Sequence, residues 1–428
     1  MDILISRPSV FILNSHYTGI GIARSLAGNG ARIVGLTFDP HAPALASKFF
    51  DVVHLVPDGR TDAKGLLDRL VALTASESER PILFPTRDFD IAYIQEYRTV
   101  LEKHFVLSIS PNSQIARMMD KMTLAEVAMT VNVDVPETRV ISASTQCVEA
   151  SAGLSFPLIL KPRVADQWRD KETWARVGAQ KAIIVASLEE LTDVMRRIEG
   201  GGREMLLQEY VQGDDAEIVT CCVYVDKSGA IAGYFCARKL MQSPRLVGTG
   251  CVVEAIDLPA LLEPSRTILR EFGYSGIAEL EFKRSPGSQI YKLIEINPRH
   301  WYQHELGLLV GINISKLAYM DLTGNTVAPV SPTFANGRPA KWIAEREFSI
   351  ELSRRILAAF RPAGDSADQG KKVSPLREAS THLGLLRGQR KYSVASWRDF
   401  AVSVRWLGGI ALELLRGVAN ALSTKPRA

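Results

Sequence analysis

A carboxylate, a carboxamide and a guanidinium alternate with apolar residues in the stretch Glu295-Ile296-Asn297-Pro298-Arg299. In an extended chain, residues two apart point to the same face, so Glu295, Asn297 and Arg299 share one side. Glu and Asn supply the hard oxygen ligands that Mg2+ accepts, and an arginine can donate paired hydrogen bonds to a phosphate or a carboxylate. The stretch therefore predicts a site for a metal ion and a phosphate-bearing ligand.

A second acidic strand precedes this one. Glu279 and Glu281 alternate with apolar residues, and the turn sequence Ser285-Pro286-Gly287-Ser288 joins their strand to the one that carries Glu295. A hairpin places the two acidic strands side by side, where facing carboxylates repel each other by up to ~1 kcal/mol. A cation between them is the natural explanation, and two strand carboxylates with Asn297 suit one or two Mg2+ ions, with Mn2+ as a substitute.

Two further segments carry residues suited to a nucleotide. Lys161 ends the apolar run 157–162, and a lysine there needs an anionic partner to justify its burial. Lys121, by contrast, lies on a predicted helix and means little alone. The segment 204–215 is an apolar strand that runs into a polar hinge, where an adenine could contact the backbone of 209–211 and Asp214 or Asp215 could bind ribose hydroxyls. A plain strand and turn is the alternative.

The elements that must position these residues divide at about residue 112. Before it, predicted strands at 9–14, 32–37, 81–85 and 106–110 indicate a doubly wound α/β domain. Its helix opening at Gly19 and Gly21 suits a dinucleotide, a substrate anion or only a tight turn. The residues expected near its ligand edge, or else as solvated loop charges, are His16, Arg24, Asp39, Arg87 and Asp88. From Ser113 a helix through Met129 is followed by strands of an α+β region.

In this order, Lys121, Lys161, the hinge 208–215, Glu281 and the stretch 295–299 resemble the ATP-grasp ligases over residues 1 to about 330. The segments 116–124, 238–245 and 297–304 resemble the bacterial carboxylate–amine ligases of the D-aspartate ligase type. The resemblance implies a Rossmann-like pre-ATP-grasp domain at 1–112 and an ATP-grasp domain at 113–330. The second domain would have a lid at about 130–205 and an antiparallel-sheet core. A partly helical, basic extension would follow at 331–428.

The resemblance also implies a role for each matching residue. Lys121 and Lys161 would contact ATP phosphates. The hinge residues would bind the nucleoside, namely Gln208, Glu209, Tyr210 and Val211 at the adenine and Asp214 or Asp215 at the ribose. Glu281, Glu295 and Asn297 would hold the metal, while Arg238 and Arg299, with Lys161, would act on the transferred phosphate and the carboxylate.

The implied reaction joins a carboxylate to an amine, with an amino acid among the expected substrates. An acyl phosphate forms from ATP, the amine attacks it, and ADP and phosphate are released. Two alternatives keep the same nucleotide site. One is a carboxylase that activates bicarbonate as carboxyphosphate, and the other is a non-catalytic nucleotide-binding regulatory or scaffold protein. The sequence leaves the identity of the carboxylate and of the amine open.

The lid departs from the family pattern, because the segment after Lys161 lacks the usual glycine-rich loop. Arg163, Arg169 and Lys171 are candidates to supply with side chains what backbone amides supply elsewhere. Trp168 and Trp174 either cover the site or pack under the lid.

Composition bounds the remaining possibilities. The 428 residues are 46% hydrophobic and 23% charged, which is typical of a globular protein of two or three domains. Five cysteines without metal-binding spacing, the absence of a secretory signal and the absence of an 18-residue apolar run predict a cytoplasmic protein.

The positive charge is concentrated in the tail. From Glu351 onward there are fourteen Lys and Arg against six Asp and Glu, although the whole chain carries only +4. The stretch 397–422 has helical periodicity with a narrow polar stripe. It is expected to dock on the protein's own body or on a second subunit of a homodimer, or else to attach peripherally to a membrane. No aromatic nucleic-acid motif accompanies the basic residues, so no nucleic-acid partner is expected.

Overall fold

The computed structural model describes residues 7–110, 114–164, 168, 171–178, 180–198, 204–334, 338–359 and 375–408. The chain forms two compact units. One contains the described residues of Met1–Ser108, Leu322–Gly324 and Tyr392–Ala428, and the other those of Ile109–Asp321 and Asn325–Lys391. The segment 331–428, expected to form an extension of its own, contributes to both units.

The first unit is built on a parallel sheet. Its strands are β1 (Val10–Ile12), β2 (Ile33–Thr37), β3 (Val52–Leu55), β4 (Ile82–Phe84) and β5 (Val106–Leu107). The strand order is β3-β2-β1-β4-β5, and every neighbouring pair is parallel. β1, β2 and β4 are wholly buried, as apolar strands with both faces covered should be. The Rossmann-like arrangement agrees with the sequence, which had indicated every strand but β3.

Four helices connect these strands: α1 (Tyr17–Leu26), α2 (Ala63–Thr74), α3 (Asp88–Glu96) and α4 (Arg98–His104). The start of α2 is fixed by Asp62, whose side chain accepts a hydrogen bond of 2.8 Å from the amide of Gly65. The buried side chains of α1, among them Ile20, Ile22 and Leu26, fill the core beside the sheet.

The second unit contains a four-stranded antiparallel sheet. Its strands are β6 (Thr138–Ile141), β7 (Leu158–Pro162), β8 (Ile183–Val185) and β9 (Met205–Glu209), in the order β6-β9-β7-β8. Three helices accompany it: α7 (Cys147–Ser151), α8 (Lys171–Arg176) and α9 (Leu188–Ile198). The apolar face of α9 packs with the inner faces of the strands in one core, so this segment has a hydrophobic centre of its own.

A larger antiparallel sheet forms the body of the second unit. Its strands are β10 (Ile218–Val225), β11 (Ile231–Ser243), β12 (Thr249–Ile256), β13 (Gly276–Lys283), β14 (Lys292–Asn297), β15 (Ala340–Ile343) and β16 (Gln389–Tyr392). They lie in the order β14-β13-β10-β11-β12-β15-β16. The acidic strands β13 and β14 are therefore adjacent, at one end of the sheet.

The other α-helices of the second unit are α5 (Gln114–Met119), α6 (Lys121–Thr130), α10 (Leu262–Glu271), α11 (Ile314–Leu322), α12 (Glu345–Ala359) and α13 (Pro375–Gly384). The 3-10 helices of the described chain are Pro43–Ala46, Ser144–Gln146, Asp215–Glu217, Pro259–Leu261, His304–Val310 and Trp397–Asp399. A further helical segment occupies 400–408.

Two elements differ from the sequence prediction. The expected continuous helix from Ser113 to Met129 breaks at Asp120, because the carboxylate of Asp120 accepts hydrogen bonds from the amides of Met122 and Thr123 and starts α6 afresh. The sequence predicts strands at 231–238 and 251–256 with 238–244 between them, but this segment belongs to β11 as far as Ser243.

Within the first unit, Arg24 binds the tail segment 394–399. This arginine was expected near a ligand edge, but it lies in the last turn of α1 and donates to the carbonyl of Val394 (2.8 Å) and to the carboxylate of Asp399 (3.3 Å). Ser47 and the amide of Lys48 also donate to Asp399. Arg24 is thus a structural residue. Among the described residues no helix is long and apolar enough to cross a membrane.

We predict that Arg24→Ala lowers the free energy of unfolding of the first unit by about 3–5 kcal/mol, because Asp399 is left as a buried charge without its cation. Urea unfolding measures the change. Arg98→Ala is the matched control, since it removes an i,i+4 pair with the half-exposed Glu102 and should cost about 0.5 kcal/mol. Equal losses in the two variants would contradict the structural role of Arg24.

Candidate active site

The two acidic strands are in the register that brings their polar side chains face to face. Glu281 of β13 lies directly opposite Glu295 of β14, and Glu279 lies opposite Asn297. The register shifts between Glu281 and Phe282, just beyond the acidic pair. The hairpin therefore produces the cluster of carboxylates that the alternating sequence predicted.

Lys121 neutralises the first of these carboxylates. Its ammonium lies 2.8 Å from Oε1 of Glu295. The lysine is the first residue of α6, directly after the capping Asp120, and its amide donates to the carbonyl of Arg163 at the end of β7. Burial alone would raise the pKa of Glu295, but the charge and hydrogen bond of Lys121 outweigh it and hold that pKa at about 2.

Lys239 neutralises the second carboxylate, and the sequence analysis did not single it out. Its ammonium lies 2.5 Å from Oε2 of Glu281. Burial acts to lower the pKa of Lys239, but the nearby carboxylates of Glu281 and Glu279 raise it above the ordinary value. Lys239 is therefore a buried, charged residue paired with a predicted metal ligand.

The position of Lys239 corrects the prediction for its neighbour. Arg238 is opposite Val219, which is opposite Phe282, whereas Glu281 belongs to the next row of the sheet. Since side chains alternate along a strand, Arg238 points to the other face from Glu281. There its guanidinium pairs with Glu254 at 2.8 Å. The alternation of side chains along β11 could have assigned Arg238 and Lys239 to opposite faces of the sheet. That assignment requires knowing that the strand continues past residue 238.

Lys161 is the third lysine of the cluster. It lies on β7 and is only 5% exposed. Burial and the positive charge of Lys121 lower the pKa of Lys161 to about 7, although Glu295 and Glu281 act in the opposite direction. Near neutral pH, Lys161 is therefore only partly protonated although it lies beside two carboxylates. A polyanion bound there would favour its charged form.

Asn297 and Arg299 form a chain of hydrogen bonds on the same face. The amide nitrogen of Asn297 donates to Glu279 (3.1 Å), and the guanidinium of Arg299 donates to the side-chain oxygen of Asn297 (3.2 Å) and to the carbonyl of His300 (3.0 Å). Burial raises the pKa of Glu279 to about 7. Glu279, missed as a contributor by the sequence analysis, therefore orients the predicted ligand Asn297.

The hinge after β9 keeps its predicted residues together. Gln208 is buried and donates to the hydroxyl of Thr138 (2.6 Å), and both carboxylate oxygens of Glu209 lie 2.7 Å from the ammonium of Lys292. The ring of Tyr210 packs against the ammonium of Lys283, and Val211 is buried. The side chain of Glu209 is thus engaged within the protein, which leaves the backbone of the hinge as the part suited to a base.

The two aspartates after the hinge have different roles. Asp215 is buried and accepts hydrogen bonds of 2.9 Å from the amide and side chain of Gln242 and from the amide of Leu246. Arg355 also lies within 3.3 Å of it. Asp215 therefore anchors β11 and is wrong as a ribose ligand. Asp214 has a side chain that is 75% exposed and pairs with Arg245, so it is the accessible member of the pair.

The predicted lid residues are placed only in part. Arg163 pairs with Asp120 (2.6 Å) and Glu204 (2.5 Å), which ties the end of β7 to its neighbours. Trp168 is buried and Trp174 packs against the same core, as expected if the tryptophans lie under the lid. Arg169 and the side chain of Lys171 lie outside the described residues.

The carboxyl edge of the parallel sheet in the first unit holds several of the charges expected there. Arg87 forms an ion pair of 2.7 Å with Asp90 at the start of α3, and its guanidinium stacks on the rings of Phe38 and Phe89. His16 precedes α1, and burial lowers its pKa against the opposing charge of Asp39. Arg87 is therefore a fixed residue between aromatic rings, and the prediction of ligand contacts at this edge stays open.

The donor set at the β13–β14 hairpin suits a hard cation. Glu281, Glu295 and Asn297 offer oxygen atoms only, which matches the preference of Mg2+. Within the described ranges no group of three or more His, Cys, Asp or Glu is arranged to hold a metal ion. Two carboxylates and one carboxamide fall short of such a group, so phosphate oxygens or water must complete any coordination here.

Comparisons with known proteins agree with this geometry. No family model matches the chain. The D-aspartate ligase of Enterococcus faecium (strain Aus0004) is 23% identical over 326 residues, which cover 73% of this chain and 76% of that protein.

Among solved structures, the biotin carboxylase domain of the Hydrogenobacter thermophilus 2-oxoglutarate carboxylase, a dimer in complex with MgADP, ADP and bicarbonate, matches with a TM-score of 0.59 at 18% identity. The match covers 76% of this chain and 72% of that one. The L-amino acid ligase of Bacillus licheniformis matches with a TM-score of 0.55 at 13% identity, over 74% of each chain.

The chain thus has the fold of the ATP-grasp proteins, and the resemblance to a D-aspartate ligase that the sequence indicates is confirmed as a similarity.

We predict that Lys161→Met is more stable than the wild-type protein in the absence of nucleotide, and that its advantage shrinks by about 2 kcal/mol between about pH 7 and pH 9. The unfolded chain holds this lysine's proton up to its ordinary pKa of 10.5, whereas the folded protein loses it near 7. Wild-type stability therefore rises with pH in this interval, and the variant lacks that rise.

Urea unfolding at the two pH values measures the difference between variant and wild type. Lys316→Met is the control because that lysine is exposed. A constant difference for Lys161→Met would contradict the lowered pKa.

Proposed function

We propose that the protein is an ATP- and Mg2+-dependent ligase that joins a carboxylate to an amine and releases ADP and phosphate. The observation that carries the proposal is the meeting of three lysines, Lys121, Lys161 and Lys239, with two facing carboxylates on β13 and β14. Such a site attracts both a polyphosphate and its divalent cation. The similarity to a D-aspartate ligase indicates which of the ATP-grasp reactions it serves.

In this proposal the metal is held by Glu281, Glu295 and Asn297. Bound Mg2+ supplies charge neutralisation and orientation of the phosphates. The ammonium groups of Lys121 and Lys239 now occupy the positions next to the two carboxylates. A nucleotide would give these ammonium groups an alternative anionic partner and so leave carboxylate oxygens available to the cation.

The lysines and Arg299 then perform the electrostatic part of the reaction. A carboxylate oxygen of the first substrate attacks the γ-phosphorus, the bond to ADP breaks, and an acyl phosphate forms. The amine of the second substrate attacks the acyl carbon, phosphate leaves and the amine loses a proton. Catalysis of this kind depends on holding the reactants in line and on stabilising charge that is spread over phosphoryl oxygens, for which lysine and arginine suffice.

The nucleoside would lie at the hinge 209–211. In this proposal the adenine contacts the hinge backbone, and Asp214 accepts from the ribose. The side chain of Asp214 is accessible, which supports it as the ribose ligand. Asp215 is less suited because its carboxylate is already hydrogen-bonded within the protein.

The substrates are proposed to be small molecules, with an amino acid as one of them, as in the similar ligases. A homodimer is proposed from the dimeric structural neighbour. All five cysteines are free and buried, which fits a reducing compartment and supports a cytoplasmic location.

The proposal is tested by phosphate release from ATP and Mg2+ across a matrix of carboxylates and amines, with mass spectrometry of the products. Release that needs both partners and yields an amide is expected. Phosphate release that needs only bicarbonate would contradict the ligase and indicate a carboxyphosphate-forming enzyme. ATP binding without turnover under any pairing would indicate a regulatory nucleotide-binding protein and would overturn the ligase.

We predict that Lys239→Met lowers kcat/KM for the active pair by about 100-fold or more, because it removes a buried cation beside the phosphate site. Arg238→Met, at the preceding residue, is the matched control. Its side chain lies on the other face of the sheet, and its variant should stay within about threefold of wild type. Circular dichroism checks that both variants fold. A larger loss in Arg238→Met than in Lys239→Met would contradict the placement of the site.

A further inference from the structure

A stripe of exposed apolar side chains runs along the tail in the first unit. Trp397, Phe400, Val404 and Leu407 are 93%, 60%, 52% and 58% exposed. They are spaced by three, four and three residues in the helical segment 397–408, so they lie on one face of it. The rings of Trp397 and Phe400 are stacked parallel, with centroids 6.4 Å apart. We refer to these four residues as the apolar stripe.

The stripe cannot turn inward, because the opposite side of the helix is fixed to the unit. Asp399 is buried and bound by Arg24, Ser47 and the amide of Lys48, and Val402 is fully buried. Asp399 and Val402 lie between stripe residues in the sequence but on the opposite face of the helix. Because the face with Asp399 and Val402 is buried, the apolar stripe faces outward. Four large apolar groups in a row on a fastened helix indicate an interaction surface rather than scattered exposed residues.

The charges beside the stripe decide between partners. Arg398 and Arg405 lie next to it and are exposed, although one guanidinium nitrogen of Arg405 donates to the carbonyl of Pro40, and the only acidic residue of 397–408 is the buried Asp399. In a symmetric contact between two copies the same basic surface would face itself, which is unfavourable. An anionic lipid surface instead attracts the arginines and accepts the apolar groups, and tryptophan is suited to the boundary between headgroups and acyl chains.

We propose that the apolar stripe docks the protein on an anionic membrane surface, with the helix lying in the plane of the interface. Trp397, Phe400, Val404 and Leu407 enter the acyl boundary, and Arg398 and Arg405 meet the lipid headgroups. This surface is independent of the ligase proposal, since none of these residues belongs to the ATP site.

The test is flotation of the full-length protein with vesicles of phosphatidylcholine alone or of phosphatidylcholine mixed with phosphatidylglycerol. Wild-type protein should bind the anionic vesicles at least tenfold more tightly than the neutral ones, and added salt should weaken this binding. The double variant Trp397→Ser with Phe400→Ser should lose at least tenfold in binding to anionic vesicles. Leu376→Ser is the matched control, because Leu376 is 84% exposed but outside the stripe.

Three results would overturn the proposal. One is no binding of wild-type protein to anionic vesicles, as expected if another segment of the chain covers the stripe. Another is equal binding by the wild-type protein and the stripe variant. The last is a wild-type dimer that the stripe variant converts to a monomer without any vesicle binding, which would assign the stripe to a second copy. Circular dichroism of each variant establishes that the exposed substitutions leave the fold intact.

Discussion

The opposition of Glu281 and Glu295 across two neighbouring strands is the constraint on which the rest of the site depends. Two carboxylates held this close by backbone hydrogen bonds cannot separate, so their mutual repulsion must be offset by cations. The chain supplies Lys121 from the start of a helix and Lys239 from the same sheet. Both make sense as residues that keep an anionic site folded until its ligands arrive.

The same constraint explains why two buried lysines differ. Lys239 contacts Glu281 directly and its pKa is raised, whereas burial and the nearby charge of Lys121 lower the pKa of Lys161 to about 7. An uncharged or weakly charged lysine is tolerable in a buried position, and it becomes a strong phosphate ligand once an anion is bound. Two lysines of the site, Lys121 and Lys239, are thus paired with carboxylates, and under the proposed function the charged form of Lys161 would be favoured by a bound nucleotide.

Much of this arrangement could be predicted from sequence because alternation along a strand has a fixed period. Glu281 and Glu295 could be placed on one face without a structure. The two-residue period of a strand was not enough to place Arg238 and Lys239. Which face of the sheet each side chain occupies depends on the length of β11 and on its pairing with distant strands. Asp215 was wrong as a ribose ligand because its hydrogen bonds come from residues about thirty positions away, which no local pattern reveals.

We propose that nucleotide and metal bind to this hairpin together, because the phosphates must draw the lysines from the carboxylates before a cation can be held. Linkage then requires that each ligand strengthens the binding of the other by the same factor. Titration of Mn2+, followed by electron paramagnetic resonance in the presence and absence of ADP, measures that factor. We expect weak binding of Mn2+ alone and at least tenfold tighter binding with ADP, with the gain lost in Glu295→Gln. Equal Mn2+ affinity with and without ADP would contradict it.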